Sequence, residues 1–148
     1  MMRFEDTIMH QTNPYPLWVG HAGDGGAFRQ ILDRSIRAIV QLASEEAPLR
    51  PPRELIYVRF PLLDGTGNDH NLLSLAINAV AILLKKGVPT LVCCGGGMSR
   101  SPAIAAAGLA VMGHAPLAEC LRLVAAVHPT DMSPGLLSDI ASALDGGK

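Results

Sequence analysis

Ten residues, Val92-Cys93-Cys94-Gly95-Gly96-Gly97-Met98-Ser99-Arg100-Ser101, constrain this chain more than any other stretch. The apolar run Thr90 to Cys93 reads as a strand, and the small-residue run Ser101 to Met112 reads as a helix opened by Ser101-Pro102. Proline is tolerated there because a first-turn N–H has no intrahelical partner. Between the two lies a glycine-rich loop that holds Cys-x5-Arg, from Cys94 to Arg100. Gly95, Gly96 and Gly97 permit positive φ, so the loop can curl its N–H groups inward. Successive inward N–H groups make an anion-binding nest, and the helix start adds the positive end of its dipole. Arg100 can grip two oxygens of a tetrahedral anion in a fork. The same field favours the thiolate form of Cys94. A thiolate beneath a bound phosphate points to phosphoryl transfer through a cysteinyl-phosphate intermediate.

The stretch Cys94-Gly95-Gly96-Gly97-Met98-Ser99-Arg100-Ser101 resembles the His-Cys-x-x-Gly-x-x-Arg-Ser/Thr loop of protein tyrosine phosphatases, most closely the dual-specificity branch. The resemblance covers roughly Leu17 to Ile140. One position departs: the family's histidine before the nucleophile, which helps set the loop and the thiolate, is Cys93 here. The resemblance implies that Cys94 attacks phosphorus and that Gly95, Gly96, Gly97, Met98, Ser99 and Arg100 bind the phosphoryl oxygens. It also implies that the Ser101 hydroxyl helps the thiolate leave in the second step, a role compatible with helix capping. No cofactor or metal is implied, and the partner is a phosphorylated protein or a small phosphomonoester.

Composition narrows the remaining classes. The chain has 148 residues, 49% of them hydrophobic. That is enough for one domain over 1–148 with a buried core, expected at about 17–140, and it excludes disorder. A formal net charge of −1 argues against a broad basic face for nucleic acid. The longest apolar stretch, Leu72 to Leu84, contains Ser74 and Asn78 and is too short to span a bilayer. No basic region followed by an apolar run opens the chain, so no secretory leader is expected. Three cysteines, two of them adjacent, do not make a disulfide framework and fit a reducing cytoplasm. No Cys/His spacing resembles a zinc site.

Short apolar strands alternate with helices, which predicts an α/β three-layer sandwich: a central, mostly parallel sheet of four or five strands flanked by helices. Residues 1–13 read as a loosely held lead-in. Leu17-Trp18-Val19 reads as a strand, His21 to Gly26 as a loop in which Asp24 serves a turn or helix cap, and Ala27 to Ser35 as a helix. Ala38 to Leu42 reads as a buried parallel strand. Ser44 to Arg53 reads as a surface loop, and Leu55 to Phe60 as a strand with Ile56, Val58 and Phe60 on one side. Asn71 to Lys86 carries an amphipathic stripe of Leu73, Ile77, Val80 and Leu84, with Asp69 as its N-cap. Helices from Pro116 and from Ser133-Pro134 to about Leu144 follow.

Phosphate-ester cleavage needs a proton delivered to the leaving oxygen. The glycine-rich stretch Pro61 to Asp69 offers Asp64 and Asp69. Asp64 closes a strand-then-Pro-x-x-Asp pattern 30 positions before Cys94, which resembles the general-acid loop of dual-specificity phosphatases. With Asp64 protonated and Cys94 ionised, the pH–rate profile is expected to be bell-shaped. Two other readings stay open: a pseudophosphatase that binds phosphorylated ligands without turnover, and a thiol redox protein using Cys93 and Cys94. A dinucleotide site is disfavoured by the lack of Gly-x-Gly-x-x-Gly in the first βαβ unit.

Overall fold

The computed structural model describes residues 9–146. Five strands form one sheet: β1 (His10–Gln11), β2 (Leu17–His21), β3 (Ala38–Ala43), β4 (Ile56–Leu62) and β5 (Thr90–Cys94). Their order across the sheet is β1-β2-β5-β3-β4. The β1–β2 pair is antiparallel, and the β2–β5, β5–β3 and β3–β4 pairs are parallel. Every residue of β3 and β5 is buried, because helices cover both faces of the central strands. That double burial is why these strands read as continuous apolar runs and not as alternating ones.

The helices are α1 (Ala22–Gly25), α2 (Phe28–Asp33), α3 (His70–Lys85), α4 (Arg100–Gly113), α5 (Leu117–Ala125) and α6 (Pro134–Gly146). Successive strand residues point to opposite faces. Leu17, Val19, Val40, Val92 and Cys94 therefore join the larger core with α3, α4, α5 and α6 residues such as Leu73, Ile104, Val124 and Ile140. Ile39, Leu91 and Cys93 join the smaller core with Ile31 and Ile36. This is the three-layer α/β sandwich expected.

The differences lie where local period carries no signal. Within the lead-in, His10 and Gln11 pair with Val19 and Trp18, and the first eight residues of that stretch lie outside the described residues. The His21 to Gly26 stretch is not a plain loop. Ala22–Gly25 is one helical turn, capped by a box in which His21 N–H donates to Asp24 Oδ2 (3.0 Å) and Asp24 N–H donates to His21 Nδ1 (3.1 Å). Asp24 sits at the third helical position of that turn and is buried. β4 runs on through Pro61 and Leu62. Val58 and Phe60 pack on the larger core as expected, but Ile56 is 47% exposed because β4 is the sheet edge. Asp69 does cap α3, accepting from Asn71 N–H at 2.7 Å.

The parallel strands β2, β5, β3 and β4 all end at one edge, at His21, Cys94, Ala43 and Leu62. Behind that edge α3 and α4 pack closely. A Cβ on Gly108 would lie 2.4 Å from Val80 Cγ1, so only glycine lets the two helices reach this distance. Gly108→Ala is expected to destabilise the protein by about 1–3 kcal/mol through overpacking, despite the roughly 1 kcal/mol that alanine gains in helix propensity. Urea denaturation measures this; an unchanged or higher midpoint would contradict the packing account.

Candidate active site

Each of the four parallel strands delivers something to the shared edge. Cys94 closes β5, and the loop from Gly95 to Ser99 leads into α4, whose first residue is Arg100. Asp64 follows β4 by two residues, and Glu45 follows β3 by two. Gly20 and His21 close β2 and lie beneath the loop. A cavity of about 170 Å3 opens here, lined by Asp64, Cys94, Gly96, Gly97, Met98, Ser99, Arg100 and Asp131. The structure thus brings Cys94, Arg100 and Asp64 together. Of the six expected phosphate-binding residues, Gly95 does not line the cavity. It lies under an ion pair instead: a Cβ there would fall 2.6 Å from Glu45 Oε2 and 3.2 Å from Arg100 Nη2. Of the three loop glycines, only Gly97 has a positive φ, +75°.

The Cys94 sulfur is 3.3 Å from both the Ser101 hydroxyl and the Ser101 N–H. The hydroxyl in turn donates to Gly20 O at 3.1 Å. Ser101 does not line the cavity; it touches the Cys94 sulfur from outside it.

Arg100 is held by a partner that sequence reasoning missed. Nη1 donates to Glu45 Oε1 (2.7 Å) and to Leu62 O (2.9 Å), and Nη2 donates to Glu45 Oε2 (2.6 Å). This is a fork-to-fork pair, with its geometric specificity. The hydrogen bond from Arg100 holds the Glu45 carboxyl down to about 2, and Glu45 raises Arg100 in return. Arg100 Nε is buried and has no partner in the structure. A buried donor without an acceptor is costly, and this one belongs to a residue that lines the cavity. Glu45 sits in a proline-rich stretch that reads as solvated loop, and no local pattern marks it.

The general-acid candidate is also fixed by contact. Asp64 Oδ1 accepts from Ser99 Oγ–H at 2.6 Å, and Ser99 Oγ accepts from Ser133 N–H at 3.0 Å. The loop around Asp64 is cross-tied by Asn68. Its Oδ1 accepts from Leu63 N–H (2.8 Å) and its Nδ2 donates to Leu63 O (2.9 Å). Asp69 stays at its helix cap. Asp131 is a second carboxylate on the cavity wall that the sequence did not reveal. Among the described residues no group of three or more His, Cys, Asp or Glu side chains could hold a metal ion.

Cys93 and Cys94 are both free thiols on opposite faces of β5. Burial, reinforced by the neighbouring Cys94, pushes the Cys93 thiol up to about 12. Burial raises Cys120 as well. Neither belongs to the cavity wall.

The fold is that of the small cysteine phosphatases of the dual-specificity type. A mouse protein described as a dual specificity phosphatase, complexed with zinc tungstate, matches with a TM-score of 0.84 at 21% identity, over 99% of this chain and 92% of its own. Human DUSP28 matches at 0.82 and 23% identity, over 94% of each chain. A human tyrosine phosphatase-like serine/threonine/tyrosine-interacting protein matches at 0.77 and 16% identity, over 94% of this chain and 97% of its own. No protein-family profile and no curated protein sequence matches the chain.

Two measurements test this geometry. Iodoacetamide at pH 7.5 is expected to label Cys94 and to spare Cys93 and Cys120, because burial holds those two thiols protonated and they lie away from the cavity that Cys94 lines; peptide mapping that found Cys93 labelled first would contradict the assignment. Glu45 has a depressed pKa, so its contribution to stability is present above the ordinary carboxylate range and is lost as pH falls from about 4.5 toward 2. The Glu45 side chain is 55% exposed, so solvent screening limits the pair to about 1 kcal/mol or less. Glu45→Gln is expected to lose that increment at pH 7 and to converge with wild type near pH 2 in urea titrations. A difference independent of pH would remove the ion pair from the account.

Proposed function

We propose that this protein is a cysteine-dependent phosphomonoester hydrolase of the dual-specificity type. One observation carries the reading: Cys94, Asp64 and an Arg100 whose buried Nε has no partner all line one cavity of about 170 Å3. Cys94 as thiolate attacks phosphorus, forming the P–S bond as the P–O bond to the leaving group breaks. Asp64 delivers its proton to that leaving oxygen. Water then attacks phosphorus, Asp64 takes the water's proton, and the P–S bond breaks to return the thiolate. Arg100 Nε and the loop N–H groups stabilise charge on the equatorial oxygens, an electrostatic effect strongest where it is preorganised. The Glu45 fork and the Leu62 carbonyl supply that preorganisation for Arg100. Ser101 sits 3.3 Å from the sulfur and stabilises the departing thiolate once its hydroxyl turns from Gly20 O. The substrate is a phosphorylated protein or a small phosphomonoester. The tungstate held by the mouse neighbour is a tetrahedral oxyanion, the shape this cavity would take.

A second reading, binding without turnover, draws support from Cys93 in place of the family histidine. Hydrolysis of an aryl phosphate in EDTA with fresh reductant separates the two. Wild type is expected to turn over, Cys94→Ser to be inactive, and Asp64→Asn to lose roughly 10²- to 10⁴-fold in kcat. Inert wild type that still binds phosphate would establish the binding module; turnover surviving in Cys94→Ser would overturn the cysteine mechanism.

A further inference from the structure

His128 is a buried histidine that the chemistry above does not use. It lies in the connector between α5 and α6 and is 2% exposed. Its Nε2 is 2.5 Å from Gly97 O, and its Nδ1 is 2.8 Å from Nδ1 of His10. The two rings meet edge to face, with centroids 5.0 Å apart. We propose that His128, oriented by His10, is a positioning residue that turns the Met98 amide toward the anion in the Cys94 cavity. This rests on the phosphate-site reading given above.

The argument is one of hydrogen-bond polarity. A carbonyl oxygen only accepts, so Nε2 of His128 must carry the hydrogen. A neutral His128 then presents a bare Nδ1, which accepts from the Nδ1–H of His10. Burial lowers the basicity of His128 and favours this neutral form; the ionisable groups acting on it are His10, Asp24 and His21. His10 thereby selects the tautomer of His128, as an orienting partner does for a catalytic or metal-bound imidazole.

The tautomer matters because the peptide unit is planar and trans. The C=O of Gly97 and the N–H of Met98 belong to one plane and point in opposite directions. With Gly97 O drawn down onto His128, the Met98 N–H faces away from it, on the cavity side. The next peptide is treated alike: Met98 O accepts from Asp131 N–H at 2.7 Å, which turns the Ser99 N–H the same way. The α5–α6 connector thus pulls two consecutive loop carbonyls outward. Cys93 cannot do this, because it faces the other side of the sheet. β1 acquires a purpose too: its ladder to β2 carries His10 to His128.

The test is affinity for inorganic phosphate, by isothermal titration, in wild type, His128→Phe and His128→Gln, with the ring tautomer of wild-type His128 read by long-range ¹H–¹⁵N NMR at pH 7. His128→Phe is expected to weaken phosphate binding roughly tenfold, the scale of one hydrogen bond to an anion. His128→Gln places an amide N–H2 where Nε2 stood and is expected to restore most of that loss, which mere cavity filling does not. The NMR spectrum is expected to show the Nε2–H tautomer. Equal phosphate affinity in wild type and His128→Phe, or an Nδ1–H tautomer, overturns the positioning role while leaving the site intact. Phosphate binding absent from wild type itself overturns the site and the positioning role together. Should His128→Phe fail to fold, the wild-type tautomer still decides.

Discussion

Gly97 lies on the end of β2 so closely that a Cβ there would fall 2.9 Å from the carbonyl carbon and oxygen of Gly20. Its φ of +75° adds a second demand for glycine, one worth about 1–2 kcal/mol against any L-residue with a side chain. Loop height over the cavity is set by this contact, so it depends on where β2 ends. That end is in turn set by the parallel register with β5, in which Gly20 pairs with Cys93 and His21 with Cys94. The His21–Asp24 box then starts α1 immediately and keeps β2 from running further. A strand register, a capping box and one glycine together fix the height of the loop over the thiol.

The elements with a strong period were legible in the sequence. α3 carries its stripe of Leu73, Ile77, Val80 and Leu84 into the core, because a long helix repeats its face four times. β3 and β5 were legible for the opposite reason, having no exposed face to interrupt them. α1 and β1 were not, since one helical turn or a two-residue ladder has no period. The site divides in the same way. Cys94 and Arg100 share one loop, and their spacing alone brings them together. Asp64 could be placed at a strand end, but its tie to Ser99 crosses 35 positions. Glu45 reaches Arg100, Asp131 the cavity wall and His128 the Gly97 carbonyl only because β3 lies beside β5 and because the α5–α6 connector folds back under the loop. Nothing in their immediate neighbours says so.

The cavity's charge is distributed unusually for the phosphate site proposed above. Its one guanidinium is already paired with Glu45 on two nitrogens, and the wall itself carries the carboxyl groups of Asp64 and Asp131. On the proposed function, attraction for phosphate comes largely from oriented dipoles: the loop amides, the start of α4 and the single Nε left over on Arg100. Dipoles act over short range and demand exact placement of the anion's oxygens. That gives weight to each contact that fixes the direction of a loop amide, and relatively little to net charge.

The pleat of β5 has a consequence for oxidative damage. Cys93 and Cys94 are neighbours along the chain, yet the sheet stands between their sulfurs. A peroxide entering the cavity would meet Cys94 and not Cys93, and a sulfenic acid formed there could not condense with the Cys93 thiol on the other face of β5. Without a resolving partner a sulfenic acid is open to further oxidation, to the irreversible sulfinic state. The doublet that looks in sequence like a built-in redox pair is, in three dimensions, one sulfur at the cavity and one insulated sulfur that cannot rescue it.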